Sequence, residues 1–431
     1  MLNISFRTSG SRLSFVALVL MLGATAPAAF AQAQPPAAGA TSPPVEPPGL
    51  LPEPSAITRA INYADSKMNR GGEPRDGFYP EFGNMITGSG WISVGPGYRH
   101  RLLGGRARFD VSGAISWNLY RMAQAHFELP HLANDHLLVG AQVIYQDMLR
   151  VNYFGLGNTS RKSDRSGFRL KGTDILGYAS VRATPWLSLN GRFGTVHQLD
   201  VSTMSGRSVS YPNTLDVFSD ATAPGLTQQP AFLHADVSAV ADTRNHFGHP
   251  TRGGLYRLTA AAYSDRGFGK YSFRRYEVEA AQFVPLAGDK WVLALHGWEV
   301  FTDASSGNTV PFYLLPSLGG KNTLRGYLDF RFHDRDMQSF SAESRWGLFT
   351  HVDAAVFADW GKVASTAGDL DFKDLKTSYG AGIRVHNRTS TFARLDIGRS
   401  TEGWRILVQM SDPFKRSTLS GSHTAVIPFV P

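Results

Sequence analysis

The sequence predicts an all-β protein whose antiparallel strands close into a membrane-spanning barrel. Three observations lead to this prediction: a signal-like N-terminus, apolar and polar residues that alternate along many short segments, and no later apolar run long enough for a spanning helix. A closed barrel pairs every backbone polar group between strands and presents only alternate side chains to lipid. An exported chain can therefore enter a membrane without an apolar helix.

The N-terminus has the three parts of a secretory signal. Arg7 and Arg12 form a basic flank, Phe15 to Leu22 form an apolar core, and Ala29 to Ala31 read small-x-small. A retained membrane anchor is the alternative, but the apolar run is too short to span a bilayer comfortably. We therefore predict that residues 1–31 are a cleaved signal peptide.

The next segment, residues 32–87, has the composition of a Pro/Ala-rich periplasmic linker or disordered arm, although Ile57, Ala60 and Ile61 fit one helical turn. The chain has no cysteine, which excludes disulfides and thiolate metal sites. Its net charge of +8 is mild for 431 residues and is spread along the chain, which argues against a nucleic-acid partner. The charge instead suits the anionic headgroups of outer-membrane lipid and lipopolysaccharide, or an aqueous lumen that favours anions.

Alternation marks the barrel, which we place at residues 88–414. In the first clear segment Phe109 and Val111 lie on one face, and Arg108 and Asp110 on the other. The pattern recurs around residues 139–146, 187–193, 256–262 and 393–397. A soluble β-sandwich also alternates, but charged residues in mid-strand suit a wet lumen, and aromatic residues near strand ends suit a membrane interface.

Several short motifs occur in a fixed order along the chain. They are Tyr-Phe-Gly-Leu-Gly-Asn from Tyr153, an Asp-Thr-Arg run with Asp242 and Arg244, a Pro-Thr-Arg-Gly run from Pro250 to Gly253, Leu-Arg-Gly-Tyr ending at Tyr327, Ser-Ala-Glu ending at Glu343, and Phe-Ala-Asp-Trp-Gly containing Asp359. Each motif alone is weak. Together, over residues 153–414, they resemble the Omp85 superfamily, also called the bacterial surface antigen D15 family, and in particular its BamA/TamA-like barrels.

The resemblance implies a barrel of about 16 strands, with an extracellular loop that folds back into the lumen. Dividing residues 88–414 among about 16 strands leaves roughly 20 residues for each strand and its connection. The connections are then mostly modest, and we expect the longest outer loop at Met204 to Pro230.

The resemblance also implies a latch inside the lumen. Arg325 would lie at the loop tip and bind Glu343 and Asp359 on the inner wall, because a guanidinium is always charged and presents a planar fork of donors. Gly326 would let the tip approach the wall, and Tyr327 would pack there. A gating role and a purely structural role for this latch remain open.

The last predicted strand carries an apolar, aromatic-ended face. Its members are Trp404, Ile406, Val408 and Met410, and the strand closes at Phe414. This face resembles the C-terminal signal by which the barrel assembly machinery recognises outer-membrane barrels for insertion. Residues 415–431 follow as a tail, whose prolines argue against another strand.

For function, the resemblance implies a Gram-negative outer-membrane protein that assists the insertion or translocation of a client protein. Relatives receive clients through POTRA modules, and the 56 residues between Gln32 and Gly88 are too few for one such module. A separate POTRA-bearing partner would then supply that step. The alternative is a passive channel or a structural outer-membrane protein.

Histidines and serines provide the remaining candidate sites. His126, His131 and His136 are spaced by five residues and His246 and His249 by three, and no acid completes a ligand set at suitable spacing. We therefore predict loop histidines, with no metal and no cofactor. The sequence has no Gly-x-Ser-x-Gly elbow and no Ser/His pair on one strand face, so we predict that the chain is not an enzyme.

Overall fold

The structure, a computed structural model, describes residues 49–68, 76–82, 92–206, 208–387 and 389–414. The predicted signal peptide, 1–31, and the predicted tail, 415–431, lie outside those residues. Within the described residues, sixteen strands form one antiparallel sheet in which each strand pairs with the next one in sequence. The predicted all-β barrel of about 16 strands is therefore confirmed.

The sheet is a simple up-and-down meander. Its strands are β1 (Gly77–Phe82), β2 (Ser93–Leu102), β3 (Ala107–Ser116), β4 (Arg121–Leu132), β5 (Leu137–Tyr153), β6 (Ser166–Thr184), β7 (Leu187–Thr203), β8 (Phe232–Asp242), β9 (Gly253–Asp265), β10 (Phe273–Pro285), β11 (Trp291–Asp303), β12 (Asp336–Phe349), β13 (Val352–Ala364), β14 (Lys376–His386), β15 (Thr391–Ser400) and β16 (Gly403–Gln409). Helix α1 covers Ser55–Met68, and the one-turn helix α2 covers Thr214–Val217. None of the described helices has the length and apolar character needed to cross a bilayer.

The two ends of the sheet differ in the length of their connections. Connections from even to odd strands run from two residues (185–186) to ten (243–252). Those from odd to even strands reach 32 residues at 304–335, which corrects the prediction that Met204–Pro230 is the longest loop. Because outer-membrane barrels have short periplasmic turns and longer extracellular loops, the even-to-odd turns mark the periplasmic end.

Burial on the strands is the reverse of that in a soluble protein. Apolar side chains point outward, as in Val237 with 63% of its surface exposed and Ile406 with 58%. Polar side chains point inward, as in Asp174 and Asp396, which are fully buried. An outer surface of this kind requires lipid around it, and the buried polar residues line the lumen.

The sheet begins earlier than the sequence predicted. Strand β1 starts at Gly77, inside the 32–87 segment that composition assigned to a linker, and not near Gly88. The strand has only six residues and contains Pro80, so its alternation is too short to recognise. Helix α1 lies in the same segment.

The chain before α1 is attached to the periplasmic end of the barrel. The N–H groups of Leu50 and Leu51 donate to carbonyls of residues 347 and 348, at 2.8 and 2.9 Å. The Glu53 carboxylate accepts from the His351 backbone N–H at 2.7 Å and from the Thr58 hydroxyl at 2.6 Å. Burial raises the pKa of Glu53, but the hydrogen bonds from Thr58 and His351 outweigh burial and hold it below the ordinary value of 4.5.

Candidate functional site

The extracellular connection 304–335, called the lumenal loop below, folds back into the barrel. Its turn depends on Gly319 and Gly320, whose φ angles are +115° and +93°. A Cβ at these positions would lie 2.2 Å from the Leu328 carbonyl oxygen and 2.1 Å from Asp329 Oδ1, so only glycine fits. The loop then packs on the inner wall in an apolar cluster made of Leu318, Leu324, Tyr327 and Phe332 with Trp298, Val300, Met337 and Val363.

Arg325 lies at the tip of the lumenal loop and is 2% exposed. Its Nη2 donates to Asp359 Oδ1 at 2.7 Å and its Nη1 to Glu343 Oε2 at 2.5 Å. Nη2 also donates to the Ser341 hydroxyl at 3.1 Å, and the guanidinium carbon lies 3.4 Å from the centre of the Phe357 ring. The structure thus joins the three residues of the predicted latch, and the guanidinium is hydrogen-bonded through both terminal nitrogens and Nε.

The latch belongs to a larger buried network of charge. Four arginines and four carboxylates contact one another in chains of ion pairs: Arg325, Arg345, Arg384 and Arg394 with Glu343, Asp359, Asp396 and Asp412. Their formal charges, +4 and −4, cancel. Because each ion has a partner of opposite sign, the network can remain inside the barrel without an uncompensated charge. The sequence predicts only the Arg325 part of this network, since the other members have no motif of their own.

Gly326 and Tyr327 connect the loop tip to the last two strands. The Ser400 hydroxyl donates to the Gly326 carbonyl at 2.8 Å, and a Cβ on Gly326 would lie 2.7 Å from the Arg399 carbonyl carbon. The Tyr327 hydroxyl lies 3.1 Å from Thr401 Oγ1. The tip therefore bridges the acids of β12 and β13 to the end of β15 and the turn before β16.

A second extracellular loop holds the lumenal loop from the other side. It contains the Tyr153–Asn158 motif, and its Gly157 N–H donates to the His333 carbonyl at 2.8 Å. Arg331 donates to the Ser160 carbonyl at 2.7 Å and to Glu402 at 2.8 Å. Sequence reasoning used this motif as a signature but did not identify the loop that it contacts.

The predicted hairpin motif forms the periplasmic turn 243–252. Arg244 binds the Asp242 carboxylate through two nitrogens, at 2.9 and 2.6 Å. Gly253 has a φ of +89°, and a Cβ there would lie 2.1 Å from the Thr243 carbonyl oxygen, so the turn requires glycine. Pro250 is buried in the same turn.

This turn crosses the periplasmic mouth of the barrel. The Gly248 N–H donates to the Thr389 carbonyl at 3.0 Å, which joins turn 243–252 to the turn between β14 and β15. The next residue, His249, lies with Asp353 and His386 in a group that could hold a metal ion. The sequence predicted no metal site, because these three residues are more than 30 positions apart in the chain and no local spacing links them.

The last strand differs from its prediction at its end. Trp404 and Ile406 face outward, 62% and 58% exposed, and Val408 follows on the same face and is half-buried. The strand ends at Gln409, so Met410 lies just beyond it.

The prediction that the strand closes at Phe414 is wrong. Phe414 is buried, with its ring centre 5.0 Å from that of His296 and 6.3 Å from that of Phe283. Asp412 pairs with Arg345 of the charge network at 2.8 Å. This ion pair and the aromatic contacts hold the end of the described chain against the inner wall, away from lipid.

Known proteins identify the family of this barrel. A model of the Omp85 superfamily domain matches residues 101–397. The chain belongs to the Omp85 superfamily. Membership places this Omp85 barrel in the outer membrane of a Gram-negative bacterium.

Two solved structures share the fold of this Omp85 barrel. One is BamA from Haemophilus ducreyi lacking POTRA domains 1–3, at 17% identity and a TM-score of 0.57, over 84% of this chain and 81% of that one. The other is CdiB from Escherichia coli, at 14% identity and a TM-score of 0.50, over 79% of this chain and 64% of that one. Among curated proteins, none matches the sequence.

Proposed function

We propose that this Omp85 barrel assists the insertion of client proteins into the outer membrane or their translocation across it. The observation that carries the proposal is the shortness of the two end strands of the sheet, β1 and β16, which would form the seam of the closed barrel. Within the residues that the structure describes, strands β1 and β16 have six and seven residues, whereas the other fourteen have 10 to 19. The two end strands therefore contribute fewer ladder hydrogen bonds than any others.

Strand β1 is weakened further by its sequence. Pro80 has no N–H, and its partner across the pair with β2 is Pro96, which also lacks one. A strand with few donors separates from a neighbour at lower cost, and an exposed edge can accept an incoming strand by β-augmentation. A client segment in an extended conformation is the partner that such an edge would bind.

The lumenal loop provides a physical connection to that seam. Its tip binds Glu343 and Asp359 on one side and contacts Ser400 and Thr401 beside β16 on the other. Release of Arg325 would therefore loosen the support of the last two strands. Since the loop also occupies the lumen, a wide passive pore is the less favoured function.

In this proposal, client recognition and the membrane step belong to different proteins. A client protein, or a separate partner that carries POTRA modules, would supply recognition in the periplasm, and this barrel would supply the membrane seam. Export would depend on the N-terminal signal at residues 1–31. No catalytic step is assigned to the chain.

Quantitative outer-membrane and surface proteomics on a deletion strain tests the proposal. Complementation would use wild type, Arg325→Ala and Arg335→Ala, the last being a matched control because Arg335 is an exposed arginine of the same loop. We expect the deletion to lose one or a few surface proteins, which wild type and Arg335→Ala restore. An unchanged surface proteome in the deletion strain would refute the proposal and favour the passive channel.

A further inference from the structure

Three side chains from separate elements converge at the periplasmic end of the lumen. His249 comes from turn 243–252, Asp353 from the start of β13 and His386 from the end of β14, and all three are buried. The Nε2 atoms of His249 and His386 lie 3.4 and 3.1 Å from the two carboxylate oxygens of Asp353. One ligand atom from each residue lies within 4.8 Å of the others.

The hydrogen bonds of His386 determine which of its nitrogens is available. Nδ1 lies 3.0 Å from the backbone carbonyl of Asn387, so the proton belongs on Nδ1. The lone pair of Nε2 then points at Asp353 Oδ1, which is also an acceptor. Two acceptors this close repel each other unless a positive charge lies between them. An Nδ1–H bound to a backbone carbonyl is also the usual outer partner of a metal-ligating histidine.

A second proton on His386 would satisfy only the contact between His386 and Asp353, whereas a metal ion could bind all three residues together. The rings of His249 and His386 are stacked, with centres 3.6 Å apart and planes 10° from parallel, so two imidazolium ions would repel strongly. Neutral imidazoles are the form that binds metals.

The positive charge nearest to the group is already compensated by carboxylates, so a cation can bind there. Arg345 faces the group, but it is paired with Glu343 and Asp412, each at 2.8 Å. His249 Nδ1 is buried and has no hydrogen-bond partner within the described residues, so either ring nitrogen of His249 can serve as a ligand after a ring flip.

We propose that His249, Asp353 and His386 bind one divalent transition-metal ion, with Zn²⁺ as the ion that suits them best. Two imidazoles and a carboxylate are ligands that zinc accepts, at about 2.0–2.2 Å each, with a fourth tetrahedral position left for water. Ligand atoms on such an ion lie roughly 3.3 Å apart. The two histidine–carboxylate separations, 3.4 and 3.1 Å, are already close to this spacing, and the whole group lies within 4.8 Å.

The ion would fasten turn 243–252 across the mouth of the barrel. That turn is already joined to the β14–β15 turn through Gly248, whose carbonyl accepts from the Thr391 N–H at 2.9 Å. On its other side Arg252 donates to Asp289 of the β10–β11 turn at 2.8 Å. A metal held by His249 on the turn and by Asp353 and His386 on the strands would cross-link the β8–β9 turn to β13 and β14.

Titration of the full-length, tag-free, folded barrel in detergent with Zn²⁺ or Co²⁺ tests the site. We expect one ion per chain, with Co²⁺ giving the absorption bands of a tetrahedral site without sulfur, because the chain has no cysteine. His249→Ala and His386→Ala should each weaken binding by more than about tenfold, since loss of an outer-shell partner alone costs that much. His246→Ala, in the same turn but outside the cluster, should bind like wild type.

Two results would overturn the assignment. The first is wild-type barrel that takes up no ion at micromolar Zn²⁺, a measurement that needs no variant to fold. The second is equal binding by wild type and all three variants, which would place the ion elsewhere. Hydrogen exchange of turn 243–252 provides an independent readout, because metal should slow exchange there in wild type and not in His249→Ala.

Discussion

Replacement of Arg325 by alanine is the perturbation that most directly tests the latch. The substitution removes the hydrogen bonds to Asp359, Glu343 and Ser341, together with the contact on the Phe357 ring. It leaves two fully buried carboxylates with one cation fewer. The lumenal loop then loses the only side chain of its tip that binds both acids in the described structure.

The loss in the free energy of unfolding depends on the hydrogen bonds and ion pairs that the two carboxylates retain. Asp359 keeps the Ser341 and Ser378 hydroxyls, at 2.7 and 3.0 Å, and Glu343 keeps Arg345 and Arg384. Removing one partner of a buried ion pair costs about 3–5 kcal/mol. Because both acids keep donors, we expect the lower end, about 3 kcal/mol, or roughly 150-fold in the folding equilibrium.

Urea unfolding in lipid vesicles, followed by tryptophan fluorescence, measures this change, and semi-native gels show the loss of heat-resistant folded barrel. Arg335→Ala should behave as wild type. The double variant Arg325→Ala/Asp359→Asn should lose at least about 1 kcal/mol less free energy of unfolding than the two single variants lose in sum. In the double variant no buried charge is left without its cation. An Arg325→Ala barrel with wild-type midpoint and gel migration would refute the latch.

Three further perturbations follow from the same geometry. Gly326→Ala should displace the loop tip, because its Cβ would lie 2.7 Å from the Arg399 carbonyl carbon, and semi-native gels should show the loss of heat resistance. Phe414→Ala should lower the free energy of unfolding in vesicles by about 3 kcal/mol, as expected for the loss of a buried ring. Slower insertion with unchanged stability would instead mean that Phe414 faces lipid. Glu53 has a lowered pKa, so its contribution is present above pH 4.5 and is lost as the pH falls through the folded value. Residues 49–53 should therefore gain protease sensitivity only in acid, and Glu53→Gln should show that sensitivity at neutral pH as well.

Sequence reasoning worked where a pattern is local. Alternation around Phe109 and Val111 reports directly which face of a strand meets lipid, so the outward faces of such strands could be predicted. The Arg-Gly-Tyr motif led to Arg325 and its two acids because the family pattern lists all three. Strand β1 was missed because six residues with a proline give too little alternation.

What escaped prediction depends on contacts between distant strands. Arg384 and Asp396 enter the charge network only through the register of β14 and β15. Phe414 fits an aromatic strand end by sequence, but the pairing of Asp412 with Arg345 draws it inward. His249 meets Asp353 and His386 only because turn 243–252 crosses the mouth of the barrel. None of these contacts has a signal in the spacing of residues along the chain.

In the proposed function a latched loop occupies the lumen, so that the seam formed by β1 and β16, and not a pore, is the working part of the barrel. Single-channel conductance of purified wild-type barrel in planar lipid bilayers tests it most directly. We expect small conductance with brief openings, because the lumenal loop is fixed by the buried network around Arg325. A large, steady and ungated conductance in the wild-type protein would contradict the claim and identify the barrel as a passive channel.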